Sequence, residues 1–161
     1  MFHLNPWFFV TLIGTPELWL GIAIGLVFVY FAFKKGFGKE RKKVMRFLEV
    51  FIVSLLLVFV AVLAVKNVSS VPRPCGLENP YCSEDFSFPS GHAASIFVFF
   101  TALFLFWRGK SLPLFIIPIL VAYSRVALGV HTVADVVAGG VLGIVVTLII
   151  WKFFWKRKRK K

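Results

Sequence analysis

Apolar and charged residues are segregated along this chain rather than mixed. Five long apolar runs, each of about 16 to 23 residues, are separated by short segments that hold most of the charged residues. An α-helix rises 1.5 Å per residue, so about 20 apolar residues cross a hydrocarbon core about 30 Å thick. The pattern therefore predicts an all-α integral membrane bundle of about five transmembrane helices, at residues 17–33, 44–65, 92–107, 111–128 and 132–154. The third and fourth runs are near the short limit for a crossing.

The composition excludes a water-soluble domain. Hydrophobic residues make up 59% of the 161 positions, charged residues make up only 16%, and the mean hydropathy is +0.86. A soluble protein of this balance would expose far more apolar surface than such proteins tolerate. The length suits a single transmembrane domain, residues 1–161, and no internal repeat divides it.

The placement of the basic residues predicts how the chain is oriented. The net charge is +12, and sixteen of the nineteen basic residues fall in the segments 34–46, 108–110 and 152–161. Five crossings put these segments on one side, which the positive-inside rule makes cytoplasmic. In a cytoplasmic (inner) membrane, the N-terminus and the loop 66–91 then lie outside and the basic tail 155–161 lies inside, next to anionic headgroups. This distribution argues against nucleic acid as a partner.

Two outer segments are predicted to be structural. The loop 66–91 holds the chain's only cysteines, Cys75 and Cys82. They either form a disulfide, which an oxidising outer side favours, or remain free thiols. The aromatic residues at 7–9 are expected to anchor the N-terminus at the membrane interface. Residues 1–16 lack the basic leader of a cleavable signal sequence.

Prolines and glycines predict the irregular points of the bundle. Pro118 is expected to kink the fourth helix, and Gly129 permits a turn after it. Gly139, Gly140 and Gly143 form a small-residue face on the fifth helix, which lets another helix approach closely.

Three basic residues fall on the outer side, where the topology provides no reason for them. Lys66, Arg73 and Arg125 are costly at such positions unless they meet an anion. A helix is predicted to begin in the stretch Phe88–His92, with Ser90 as its N-cap. The free N–H groups and the positive dipole end of such a helix favour a phosphate.

A histidine–aspartate pair near the start of the fifth helix adds a reactive group. His131 and Asp135 are four residues apart, a spacing that places both on one face of a helix. The carboxylate can then accept the Nδ1–H, which leaves Nε2 free as a nucleophile or a base. His92 lies at the same predicted depth. Each residue alone has an ordinary structural explanation, but the whole set indicates a phosphate site.

Three short motifs resemble the signature of the type 2 phosphatidic acid phosphatase superfamily. They are Lys66 followed after six residues by Arg73-Pro74, then Pro89-Ser90-Gly91-His92, and finally Ser124-Arg125 followed by His131 and Asp135. All three match in residue type and internal spacing, and the resemblance covers residues 66–135. The superfamily includes membrane lipid phosphatases and soluble vanadium haloperoxidases, and the five apolar runs favour a membrane lipid phosphatase.

The resemblance implies a role for each matched residue. His131 would attack phosphorus and form a phosphohistidine, with Asp135 holding its ring. His92 would protonate the leaving oxygen and then activate water. The residues implied to bind the phosphoryl oxygens are Lys66, Arg73, Ser90, Gly91 and Arg125. No metal or other cofactor is implied, because fixed cations and a helix N-terminus can neutralise those oxygens.

The implied activity is hydrolysis of the terminal phosphate of a membrane lipid at the outer membrane–water interface. Candidate substrates are undecaprenyl diphosphate, phosphatidylglycerol phosphate, phosphatidic acid and the 1-phosphate of lipid A. Two alternatives remain open: a phosphotransferase that passes the phosphoryl group to another lipid, and a non-enzymatic protein that binds or flips lipid phosphates. The sequence determines neither which of these lipids is preferred nor the oligomeric state.

Overall fold

The computed structural model is a bundle of α-helices joined by short links and one long loop. It describes residues 6–33, 41–76, 78–107 and 111–159. In chain order the helices are α1 (Pro6–Leu12), α2 (Pro16–Phe33), α3 (Arg41–Ser69), α4 (Gly91–Trp107), α5 (Ile116–Ala127) and α6 (Val133–Arg159). A 3₁₀ turn, Leu112–Phe115, precedes α5. The predicted all-α class is confirmed.

The lengths of the helices fit a membrane protein. α3 and α6 are each long and apolar enough to cross a bilayer, and α1 and α2, which meet at a bend of 42°, form a third span if they are taken together. α4 and the segment Leu112–Ala127 are shorter apolar helices. Large apolar side chains such as Phe28 and Ile24 are 74% and 65% exposed, as expected for surfaces that face lipid. The total of five crossings stays a prediction.

Two helices extend beyond the predicted spans. α3 continues to Ser69, so Lys66 lies in its last turn and not in the loop that follows. α6 continues to Arg159, well into the predicted tail 155–161. A basic residue near a helix C-terminus interacts favourably with the helix dipole, and Lys66 has this position in α3. Several basic residues of the predicted clusters lie outside the described residues: Lys34, Lys35, Lys39, Arg108, Lys110, Lys160 and Lys161.

The helix type changes close to Pro118. A 3₁₀ turn ends at Phe115 and α5 begins at Ile116, so Pro118 is the third residue of α5. A proline is tolerated in the first turn of an α-helix, where a backbone N–H has no partner within the helix. The kink at Pro118 stays a prediction. The predicted turn at Gly129 is present, with φ at +70°.

The glycine face of α6 packs directly on α4. A Cβ atom at Gly139 would clash with the carbonyl oxygen of Ser90, and one at Gly143 would lie 2.5 Å from that of Ala94. The predicted close approach is therefore observed. At the same level the Ser90 N–H donates to the Asp135 carbonyl oxygen at 3.0 Å, which joins the start of α4 to the first turn of α6.

An aromatic cluster joins α2, α3 and α4 below this junction. The ring centroids of Trp19 and Phe99 are 4.5 Å apart, and those of Phe51 and Phe99 are 5.4 Å apart. Phe51 is fully buried. Such pairs combine large burial with favourable ring geometry and hold the three helices in a fixed arrangement.

The loop between α3 and α4 is tied to its surroundings at several points. Cys75 and Cys82 form a disulfide, which was the favoured of the two alternatives. The Asn79 side chain donates to the carbonyl oxygen of Leu128 at 2.9 Å, at the end of α5. These links hold the loop at the end of the bundle where α4 begins and α5 ends.

The aromatic residues of α1 pack on the protein. Trp7 lies edge-on to Tyr123 of α5, with 5.0 Å between ring centroids, and Phe8 lies 5.3 Å from Tyr81 of the loop. α1 therefore docks on the bundle, and its role as an interfacial anchor stays a prediction.

Candidate active site

A cavity of about 580 Å³ contains most of the predicted site residues. Its polar end is lined by Lys66, Arg73, Gly91, His92 and His131. Its other walls are largely apolar side chains of α2 and α3, namely Leu20, Leu55, Leu56, Val58, Phe59, Val62 and Leu63. The three remaining predicted residues, Ser90, Asp135 and Arg125, are buried at 0%, 2% and 5% exposure and do not line it.

A turn at the end of α5 places His131. Gly129 adopts a left-handed conformation, which glycine reaches without strain. The N–H groups of Val130 and His131 then donate to the carbonyl oxygen of Arg125 at 3.2 and 3.3 Å. His131 therefore lies in the link between α5 and α6, beside the last turn of α5.

Asp135 reaches His131 by way of a helix cap. α6 begins at Val133, so His131 precedes the helix and the expected shared helix face does not exist. Instead, Thr132 Oγ1 accepts the Asp135 N–H at 3.2 Å, and Asp135 Oδ2 accepts the Thr132 N–H at 2.8 Å, the reciprocal pattern of a capping box. This pattern brings Asp135 Oδ2 to 3.4 Å from His131 Nδ1. The predicted pair is present, for a different local reason.

Ser87 is a member of the site that the sequence analysis missed. Its side chain is fully buried, and its hydroxyl donates to Asp135 Oδ2. The same Oγ lies 3.3 Å from His131 Nδ1, so it can also accept a proton from the ring. A loop serine three residues before Ser90 carries no distinctive signal, and only the packing of the loop on α6 brings it here.

One carboxylate joins the two cations of the cavity. Asp85 Oδ2 lies 2.6 Å from Lys66 Nζ, and Oδ1 lies 2.5 Å from an Arg73 terminal nitrogen. Partial burial by itself would raise the pKa of Asp85, but hydrogen bonds from Lys66 and Arg73 outweigh it and lower that pKa below its usual range. Asp85 is therefore a carboxylate at neutral pH. The sequence analysis had not assigned it to the site.

Arg73 also contacts the imidazole. One of its terminal nitrogens donates to the Val130 carbonyl oxygen at 3.0 Å and lies 3.1 Å from His131 Nε2. A guanidinium can only donate, so Nε2 is the acceptor and Nδ1 carries the proton that faces Ser87 and Asp135. Burial and the charges of Arg73 and Arg125 lower the pKa of His131 to about 3. The ring is neutral at neutral pH, which suits a nucleophile or a base.

Arg125 is buried behind the polar end of the cavity and contacts α1. It donates to the hydroxyl of Thr11 at 2.7 Å, and its Nε is buried without a hydrogen-bond partner in the described part of the chain. An unsatisfied buried donor costs about 1–3 kcal/mol, and a nearby anion would relieve that cost. Thr11, which is 3% exposed, is another residue that the sequence analysis missed.

The start of α4 completes the polar end of the cavity. The helix begins at Gly91, directly after Ser90, whose carbonyl oxygen accepts the Ala94 N–H at 3.0 Å. The predicted helix start is confirmed. His92, in the first turn, lies within electrostatic reach of four site residues: Lys66, Arg73, Arg125 and His131.

The side chains present suit an anion better than a metal ion. Within the described ranges, no three His, Cys, Asp or Glu residues are grouped in a way that could hold a metal. Asp85 is engaged by two cations, and Asp135 by Ser87 and the helix cap. The donors that line the cavity come from cations and a helix N-terminus, which are ligands for phosphate.

Curated relatives are similar over part of this chain. Dolichyldiphosphatase 1 of Homo sapiens is 33% identical over 108 residues, which are 56% of this chain and 45% of that protein. Putative undecaprenyl-diphosphatase YbjG of Escherichia coli (strain K12) is 38% identical over 74 residues, which are 42% of this chain and 36% of that protein. The matches thus span less than half the length of these relatives.

Two solved structures are similar over nearly the whole chain. The first transmembrane PAP2 type phosphatidylglycerolphosphate phosphatase from Bacillus subtilis has a TM-score of 0.69 and 26% identity, covering 99% of this chain and 82% of that one. Aquifex aeolicus LpxE has a TM-score of 0.68 and 27% identity, covering 93% and 88%. A family model described as PAP2 superfamily matches residues 44–159, which hold all eight predicted site residues. This chain belongs to the PAP2 superfamily.

Proposed function

We propose that this protein is a metal-independent phosphatase that hydrolyses the terminal phosphate of a membrane lipid phosphate or diphosphate. The observation that carries the proposal is the cavity itself. One end presents a neutral imidazole beside cations, and the other walls are apolar side chains of α2 and α3. A lipid has the same division, with a phosphate at one end and hydrocarbon at the other.

The proposed reaction has two steps at one phosphorus atom. His131 Nε2 attacks, a nitrogen–phosphorus bond forms, and the bond from phosphorus to the leaving oxygen breaks while protonated His92 gives its proton to that oxygen; in a lipid diphosphate the leaving oxygen is the one that bridges the two phosphorus atoms. A water molecule, which gives a proton back to His92, then attacks the phosphorus atom, the nitrogen–phosphorus bond breaks, and phosphate is released. Phosphoryl transfer of this kind depends mainly on in-line placement and on neutralising the equatorial oxygens.

Different residues bind the phosphoryl oxygens and orient the imidazole ring of His131. Lys66, Arg73 and Arg125 supply positive charge, and the start of α4 at Ser90 and Gly91 adds the favourable end of a helix dipole. Asp135 stabilises the Nδ1–H tautomer of the nucleophile, which keeps Nε2 unprotonated; the hydrogen bond from Arg73 to Nε2 gives way when Nε2 attacks.

The site is proposed to lie at the outer face of a cytoplasmic membrane, at headgroup depth. The lipid chain then remains in the bilayer while the phosphate enters from the side. The names of the curated relatives put polyprenyl diphosphates first among the substrates to be tried, with phosphatidylglycerol phosphate next because of the Bacillus subtilis structure.

A phosphate-release screen tests the activity. The purified protein is assayed in detergent with undecaprenyl diphosphate, phosphatidylglycerol phosphate, phosphatidic acid and lipid A 1-phosphate. We expect phosphate release that survives EDTA and is blocked by orthovanadate, which resembles five-coordinate phosphorus. Formation of a new phospholipid without free phosphate would instead indicate a phosphotransferase. Loss of activity on chelation, restored by Mg²⁺, would contradict the metal-free mechanism.

Two substitutions test the mechanism. His131→Ala removes the nucleophile and should abolish turnover, whereas Arg125→Ala removes one transition-state donor and should lower the rate on the order of 10²–10³-fold. Both are measured on the best lipid of the screen, with folding checked by size-exclusion chromatography. Turnover by His131→Ala near the wild-type rate would eliminate the phosphohistidine route.

A further inference from the structure

Asp85 lies between Lys66 and Arg73, the two cations of the cavity that are proposed to bind a phosphoryl group. Its two carboxylate oxygens lie 2.6 Å from Lys66 Nζ and 2.5 Å from an Arg73 terminal nitrogen. The cations are almost buried, with side-chain exposures of 8% and 7%, whereas the Asp85 side chain is 50% exposed. The carboxylate therefore lies on the solvent side of both cations and lines the cavity with them.

The other contacts of the two cations leave few donors for a substrate. Arg73 Nε donates to the Asp85 carbonyl oxygen at 3.0 Å, and its two terminal nitrogens are engaged with Val130, His131 and the Asp85 carboxylate. Lys66 donates to the Asp85 carboxylate and to the Phe86 carbonyl oxygen. A phosphate that binds both cations competes with the Asp85 side chain for the same N–H groups.

We propose that Asp85 is a specificity-determining residue, a built-in anion that competes with free phosphate for Lys66 and Arg73. This inference rests on the proposed function. A lipid substrate also buries its chain along the apolar walls of the cavity, so it can displace the carboxylate. Inorganic phosphate lacks a chain and depends on the cations alone. The competition therefore disfavours the released product more than the substrate.

The size of the effect follows from the charges. Replacing Asp85 by Asn leaves Lys66 and Arg73 without their shared carboxylate, so both charges become available to another anion. Half of the Asp85 side chain is exposed, so solvent screening reduces this interaction. We expect Asp85→Asn to bind inorganic phosphate roughly tenfold more tightly than the wild type.

The test compares four forms of the full-length protein in detergent. They are the wild type, Asp85→Asn, Asp85→Glu, which keeps the charge, and Glu84→Gln, which removes the neighbouring exposed carboxylate of the same loop. Isothermal titration calorimetry with inorganic phosphate gives Kd, and inhibition of lipid hydrolysis by added phosphate gives Ki. We expect both constants to fall roughly tenfold in Asp85→Asn only. Asp85→Ala serves as a second neutral variant if Asp85→Asn does not fold.

The outcomes separate this inference from the proposed function. Unchanged or weaker phosphate binding by a folded neutral variant would overturn it, because Asp85 would then order the cations and not compete for them. An equal gain in Glu84→Gln would overturn it as well, since the effect would reflect overall loop charge. If no lipid is hydrolysed but Asp85→Asn still binds phosphate more tightly than the wild type, the competition stands and the proposed activity fails.

Discussion

The two ring nitrogens of His131 face groups of opposite charge. Nδ1 lies 3.4 Å from a carboxylate oxygen of Asp135, and Nε2 lies 3.1 Å from a terminal nitrogen of Arg73. The carboxylate favours a proton on Nδ1, and the guanidinium excludes one from Nε2. The ring is thereby held as one tautomer, with its unprotonated nitrogen directed toward the cations of the cavity.

This environment sets the pH dependence of His131. Because its pKa is lowered to about 3, the folded protein leaves the ring neutral at pH values where an ordinary histidine, with a pKa near 6.5, is protonated. Below about pH 6.5, His131 therefore binds a proton in the unfolded chain but not in the folded chain. This residue should lower the free energy of unfolding as the pH falls from about 6.5 toward 3.

Carbon-13 NMR of labelled histidine can measure this pKa directly. The chain has only three histidines, so the His131 signal can be assigned by its loss in His131→Gln. We expect no titration of that signal between pH 7 and 5. A midpoint near 6.5 would contradict the electrostatic description of the site.

At the scale of elements, the spacing of α4 and α6 sets the relative positions of the site residues. The two helices touch at a glycine of α6, which has no side chain to hold them apart. Gly139 of α6 lies against the carbonyl oxygen of Ser90, one helical turn from Asp135. The Ser90 N–H bonds the Asp135 carbonyl oxygen at the same junction. The distance between the two helices therefore determines where the start of α4 lies relative to the His131–Asp135 pair.

A methyl group at Gly139 should disturb both stability and activity. Gly139→Ala places Cβ against backbone, which cannot move aside as a side chain can, so we expect a loss of about 1–3 kcal/mol of stability and a lower turnover. Gly25→Ala on α2 is the matched control, because its Cβ would have no neighbour within 4 Å. Thermal unfolding in detergent and phosphate release measure the two effects. Equal behaviour of the two variants would contradict the packing argument.

The short helix α1 contributes a polar contact to the site. Thr11 holds one terminal nitrogen of Arg125 at 2.7 Å, and both residues are buried. The residue lies 55 positions before Lys66, outside every motif in the sequence. Its hydroxyl orients Arg125 without lining the cavity, so Thr11 is a positioning residue.

Two substitutions separate the hydroxyl of Thr11 from its volume. Thr11→Val keeps the shape but removes a hydrogen bond to a charged group, which is worth about 1.5–3 kcal/mol, so kcat should fall roughly tenfold or more. Thr11→Ser keeps the hydroxyl and should retain nearly the wild-type kcat. The inhibition constant for orthovanadate should rise in Thr11→Val alone. A similar loss in both variants would mean that only packing matters at this position.

At the scale of the whole molecule, the predicted site residues collect at one end of the bundle. Lys66 is in the last turn of α3, His92 in the first turn of α4, Arg125 near the end of α5 and Asp135 in the first turn of α6. The alternating directions of the helices bring these ends to one level, which is compatible with the prediction of five crossings. The loop with the Cys75–Cys82 disulfide lies at the same end.

Reporter fusions test the predicted orientation. With the C-terminus in the cytoplasm, green fluorescent protein fused there should fluoresce in bacterial cells, and alkaline phosphatase fused there should be inactive. The same reporters fused at the N-terminus should behave in the opposite way. An active C-terminal alkaline phosphatase would reverse the orientation and place the site on the cytoplasmic side.

Much of the site was predictable because phosphate chemistry restricts the residues that can perform it. Three features can be recognised in the sequence alone. They are cations on the side of the predicted topology where basic residues are not expected, a Ser-Gly-His helix start, and a His–Asp pair. The pairing of His131 with Asp135 was predicted from helical spacing, whereas the capping box of Thr132 and Asp135 produces it. The predicted contact between His131 and Asp135 is present, but the predicted cause, a shared helix face, is wrong.

The sequence by itself determined the membrane class and the superfamily and predicted the eight residues of the site, because hydropathy, motif spacing and residue chemistry are properties of the chain. Only the tertiary structure decided which groups surround those residues. Asp85 between the cations, Ser87 beside Asp135 and Thr11 on Arg125 come from segments that carry no motif. Their positions depend on how a loop and a short helix pack on distant elements, and long-range packing leaves no periodic signal in the sequence.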